Sequence, residues 1–113
     1  MSAQGSLVRP VDAVAGLLPD QVRAEAAVAA LSAAGFAASF VREEQPARRR
    51  CDWGRDTTIM NLYLAGRRQG HVLLVVPAGR ADGERIGRLL TRHQGHAVYY
   101  FTSAGVESLS ALV

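Results

Sequence analysis

The sequence predicts an α+β domain, on three observations. Positions 72–76 form a continuous run of five Val and Leu residues, which has the length and composition of a strand covered on both faces. Two stretches, 21–34 and 82–93, carry apolar residues at helical spacing, and each stops at a glycine, Gly35 and Gly95. The order strand, helix, glycine turn, strand occurs twice along the chain.

Each element has a local reason. Residues 1–9 are small and polar, and predict a loose N-terminus. Residues 12–17 predict a first strand, weakened by Ala and Gly. Pro19 and Asp20 then mark a helix start, since proline suits a first turn and an aspartate side chain accepts from free N–H groups. Ala24, Ala27, Val28 and Leu31 fall at i, i+3, i+4 and i+7, a stripe of small residues that lets the helix lie close to a sheet. Residues 36–42 predict a second strand, and residues 43–55 a polar loop.

Asp56 is placed to cap a second helix over 57–69. Ile59, Met60, Leu62, Tyr63 and Leu64 make that helix apolar on more than one side, so it needs cover on two sides, and a neighbouring chain is one way to supply it. After the strand over 71–77, Ile86, Leu89, Leu90 and His93 share one stripe of the next helix. Residues 96–102 return as an aromatic strand with Tyr99 and Phe101 facing one way and Tyr100 the other. A short helix over 106–112 ends the chain.

Two such halves make a split βαβ, ferredoxin-like arrangement, β-α-β-[α]-β-α-β, with a four-stranded antiparallel sheet, an extra helix between the halves and the first and third strands central. Residues 1–10 are read as a flexible terminus and 11–113 as one domain. A chain of 113 residues can bury about 65% of the surface it exposes when unfolded, enough for an ordinary core without a staple.

Composition narrows the partner class. No apolar run approaches the ~20 residues of a membrane span, and no basic-then-apolar leader opens the chain. A single cysteine, Cys51, suits a reducing compartment, so the expectation is cytoplasmic. All thirteen basic residues are Arg, a pattern that GC-rich coding explains and that selection for bidentate anion contacts would also produce. A net charge of +3 is too small to argue for nucleic acid by itself.

Two segments resemble bacterial general stress proteins of the heat-induced, YflT-like type. The first is 24–36, in which Ala24, Glu25, Ala27, Val28, Ala30, Leu31, Ala34, Gly35 and Phe36 follow that family's helix end. The second is 63–76, Tyr63 through the Gly70-His71 turn to Val76, which is similar to its helix, glycine and central strand. The resemblance covers about residues 12–102. It implies a ferredoxin-like domain linked to stress response and brings no catalytic residues. The first strand is weaker than the family's, and the Arg/Trp loop is not one of its marks.

The candidate ligand-binding residues are Arg48, Arg49, Arg50, Trp53, Arg55 and His71. Guanidinium groups bind phosphates and carboxylates bidentately, and an indole can stack on a base. A solvated surface loop is the plain alternative, yet a tryptophan in a charged loop docks somewhere, on its own domain or on a partner. Cys51 beside three arginines has the surroundings that favour thiolate. His71, His93 and His96 with Cys51 could in principle hold zinc. No Cys-x-x-Cys or His-Glu-x-x-His spacing supports this, so neither metal nor cofactor is expected. No nucleophile elbow or phosphate loop is present, so no catalytic residue is assigned.

The sequence therefore supports a non-enzymatic, stress-associated interaction module that self-associates, a dimer first, through Ile59, Met60, Tyr63, Leu64, Tyr99 and Phe101. The alternative is binding of a small anion or nucleic acid through the Arg/Trp loop.

Overall fold

The computed structural model describes residues 9–41 and 53–109. The predicted N-terminal segment, most of the polar loop with Arg48, Arg49, Arg50 and Cys51, and positions 110–113 lie outside the described residues.

Among the described residues, five strands and three α-helices follow in the order β1 (Ala13–Leu18), α1 (Gln21–Ala33), β2 (Ser39–Val41), a 3₁₀ turn (Gly54–Asp56), α2 (Thr57–Arg68), β3 (Val72–Pro77), α3 (Arg80–Arg92), β4 (His96–Phe101) and β5 (Val106–Ser108). The sheet order is β2-β3-β1-β4-β5. Every neighbouring pair is antiparallel. The strand expected to be weak, β1, is buried at all six positions, because it lies in the middle of the sheet. Ala and Gly there reflect crowding. A Cβ at Gly16 would lie 3.0 Å from Val98 Cγ2.

Helix α1 begins as its sequence predicts. Asp20 accepts from the Arg23 N–H at 2.8 Å, which holds its carboxyl below the ordinary value. Gly35 closes the helix at φ +95°, where only glycine is unstrained. Helices α1 and α3 cover one face of the sheet, packing Ala24, Ala27, Leu31, Ile86 and Leu90 on Val14, Leu74, Val76 and Val98. Helix α2 covers the other, packing Met60, Tyr63 and Leu64 on Ala15, Leu17, Leu73 and Phe101. The unbroken apolarity of β3 follows from this: Leu73 and Val75 meet α2, and Leu74 and Val76 meet α1 and α3. Gly66 lets α2 come down on β1, since a Cβ there would stand 2.6 Å from Leu17 Cδ1.

Four expectations are corrected. The sheet has five strands, where four were expected. The C-terminal helix over 106–112 is absent at its start: Val106–Ser108 is strand β5, paired with β4. The Thr102 hydroxyl accepts from the Ala104 and Gly105 N–H groups. That tight turn folds the chain back onto the open edge of β4, where ladder hydrogen bonds outweigh local helical spacing. Strand β2 is confined to Ser39–Val41 within the described residues, because Phe36 finishes the α1 cap, its N–H donating to Leu31 O at 2.8 Å. Asp56 stands at the start of α2 but makes no side-chain cap; its carboxylate is engaged by Arg9.

Candidate functional site

Of the described ligand-site residues, Trp53 and Arg55 stand at one end of the sheet and His71 at the other. At the end where β1 begins and β4 finishes, Trp53 is buried, with 2% of its surface exposed. It packs edge-on against Phe101 at 5.7 Å and Tyr63 at 6.4 Å between ring centroids. The indole therefore docks on its own domain and offers no stacking surface. Arg9 closes this end. Its Nε meets Asp56 Oδ2 at 2.9 Å, Nη1 donates to the Pro10 and Thr102 carbonyls, Nη2 donates to Gly105 O, and its guanidinium lies over the Phe101 ring. Beside it, a shallow cleft of about 260 Å³ is lined by Arg9, Trp53, Arg55 and Ser103. Arg55 is exposed there.

The proposed interface residues are largely core. Met60, Tyr63, Leu64 and Phe101 are buried within the chain, and Ile59 and Tyr99 are half-buried beside them. The sheet itself supplies the cover that α2 needs. On its outer side, Leu62 is 44% exposed.

At the opposite end, where β1 stops at Leu18, β3 and β4 both begin. They are separated by β1, so their backbones stand about two strand spacings apart, roughly 9.6 Å. His71, just before β3, and His96, the first residue of β4, reach across that gap. His71 Nδ1 and His96 Nε2 lie 2.9 Å apart, with the rings nearly perpendicular and their centroids 4.8 Å apart. One nitrogen must donate and the other accept, so the bond requires at least one ring to be uncharged. Both residues are half-buried.

A local distortion sets His96 in place. The pairing of β1 with β4 slips between Ala15↔Tyr99 and Leu17↔His96, and Ala97 sits at φ +52°, the left-handed region that costs a non-glycine residue free energy. Such bulges re-aim side chains and recur at functional positions. Here the bulge turns the Ala97 carbonyl toward α2, where the Tyr63 hydroxyl donates to it at 2.8 Å and to Ala15 O at 3.2 Å. Burial, with a smaller contribution from Tyr99, pushes the Tyr63 phenol well above its ordinary value of 10.0. Tyr63 therefore stays a neutral donor.

His93 does not join the pair. Its Nδ1 donates to Leu89 O at 3.0 Å within its own helix end. Of the three histidines weighed for zinc, the fold thus brings two together, and among the described residues no group of three His, Cys, Asp or Glu converges. Arg9 was not among the site residues expected from sequence, and His96 was weighed only as a zinc ligand beside His71, His93 and Cys51. The signal that pairs His96 with His71 alone is topological: in a sheet with β1 between β3 and β4, the starts of those two strands share one end.

No family model, curated protein or solved structure matches the chain. No helix among the described residues is long and apolar enough to cross a membrane.

Proposed function

We propose that the protein is a small, non-enzymatic binding module of the split-βαβ, ferredoxin-like class that acts at the end of its sheet where His71 and His96 meet. The fold part of this reading is supported by the strand order β2-β3-β1-β4 with antiparallel neighbours, to which β5 adds an edge. The observation that carries the functional part is the His71–His96 bond at 2.9 Å. It joins two ligand-type side chains from distant parts of the chain beside a strained bulge.

Binding is the reading taken because the fold brings two ligand-type nitrogens together at 2.9 Å and no catalytic motif is present in the sequence. A stress-associated role rests only on the likeness of residues 24–36 and 63–76 to general stress proteins. Self-association belongs to the same reading, and it must use surface outside the aromatic core, with Leu62, Ile59 and Tyr99 among the apolar residues on that side.

The test is a thermal-shift screen of the untagged chain against metal salts, nucleotides and anionic metabolites. Stabilising ligands should lose their effect in His71→Gln and His96→Gln. Stabilisation indifferent to both substitutions sinks the reading.

A second reading is kept by the cleft beside Arg9, where exposed Arg55 could bind a small anion. Stabilisation by polyphosphate that disappears in Arg55→Gln would favour it over the histidine site.

A further inference from the structure

We propose that His71 and His96 form a two-histidine site for a divalent late transition metal ion of tetragonal preference, copper(II) above nickel(II). This rests on the reading of the histidine end as the binding site and deepens it.

The first observation is distance. With metal–nitrogen bonds of about 2.0–2.1 Å, two imidazoles bound at 90° stand about 2.9 Å apart, and at a tetrahedral angle about 3.3 Å. His71 Nδ1 and His96 Nε2 stand 2.9 Å apart, the spacing of neighbouring ligands around a square-planar or octahedral ion. A proton now bridges them. A metal ion takes the place of that proton once both facing nitrogens present lone pairs, which needs His71 protonated at Nε2 and His96 at Nδ1. Those tautomers are reached by moving one proton within a neutral ring.

The second observation is freedom to respond. The rings must turn to aim both lone pairs at one point. They are half-buried at the starts of two strands and are not locked in the core.

The third is rigidity beneath them. His71 immediately precedes β3 and His96 opens β4, both strands paired with β1, and the bulge that sets His96 is pinned through Ala97 O by Tyr63. No third His, Cys, Asp or Glu joins the pair among the described residues, so water completes the coordination shell. Two imidazoles and water suit copper(II) and nickel(II) better than structural zinc, which takes four protein ligands.

The experiment uses the full chain with its affinity tag removed, in a Cys51→Ser background so that a thiolate cannot compete. Copper(II) and nickel(II) chlorides are titrated calorimetrically, with zinc chloride for comparison. Copper(II) should bind one to one and more tightly than zinc. Affinity should fall on acidification because protons compete for the same nitrogens. His71→Gln and His96→Gln should each weaken copper(II) at least tenfold, as losing a ligand must exceed the usual 10–100-fold effect of losing a supporting partner. His93→Gln should leave binding within about twofold.

A second measurement needs neither histidine variant. Paramagnetic broadening by copper(II) in nuclear magnetic resonance spectra of the same background should centre on residues around His71 and His96. Absence of copper(II) and nickel(II) binding overturns the proposal, as does binding unchanged in both variants or broadening centred elsewhere. If no metal binds but another ligand's stabilisation still depends on the two histidines, only the metal assignment falls. Stabilisers indifferent to both histidines overturn the reading beneath it.

Discussion

The two ends of the sheet handle polar groups in opposite ways. At the Arg9 end, one guanidinium meets a carboxylate and three carbonyls that cannot exchange partners, while Trp53 fills the space beneath. At the histidine end, two titratable rings meet only through a proton that either can carry. A charged group saturated by fixed partners acts as a fastening. Two ligand-type groups that satisfy each other hold a place that another cation can take. Residue type alone would have ranked the ends the other way, since Arg and Trp are the usual signs of a binding surface.

Five substitutions break or sharpen this contrast. The largest effect should come from Trp53→Ala, which empties a fully enclosed indole site and should lower stability by about 3–5 kcal/mol in chemical denaturation; a loss under 1 kcal/mol would mean the indole is not packed as described. Arg9→Ala should cost on the order of 2 kcal/mol, because it strands a partly buried carboxylate and removes the donor to the Thr102 carbonyl. Asp56→Asn should cost less, since an amide oxygen still accepts.

Tyr63→Phe comes next, at about 1–2 kcal/mol, from the unsatisfied Ala97 carbonyl. The same phenol gives an alkaline signature. Its folded value is raised above the ordinary 10.0, so its contribution is intact below that pH and is lost as pH climbs from there toward the folded value. Ultraviolet titration should show one phenol ionising well above the ordinary value that is missing in Tyr63→Phe, and the alkaline loss of stability should shrink in the same variant. The smallest effect belongs to His96→Gln. Without metal it should change stability by less than about 1 kcal/mol, because a single partly exposed hydrogen bond is lost. A large loss there would make the histidine pair a fastening like Arg9.

Much of the fold was legible because its signals are local. The i, i+3, i+4, i+7 stripe of α1, the Asp20 cap, Gly35, and the alternation of Tyr99, Tyr100 and Phe101 each act within a few residues, and each is found in the structure. The final strand was misread because its state depends on a partner. Val106–Ser108 has no strong preference and takes the conformation that the edge of β4 offers. Helix α2 looked short of cover because its apolar residues were weighed without the sheet face beneath them. Met60, Tyr63 and Leu64 are that face's lid. The candidate site was the least legible part. His71 and His96 are 25 positions apart, and neither lies in a metal motif, so no spacing announces them.

The sequence by itself determined the start of α1 at Asp20 and its end at Gly35, the helix or strand state of 13–33, 57–68 and 72–77, and that β3 must be covered on both faces, because periodicity, capping and glycine conformation are short-range physics. Only the tertiary structure decided which groups meet. Placing β1 between β3 and β4 brought two histidines to one end of the sheet and Arg9 to Asp56 at the other. A bulge at Ala97 set the final angle. The reason is that a pairing between residues distant along the chain is selected by the packing of the whole sheet, whose closure entropy and burial no local window contains.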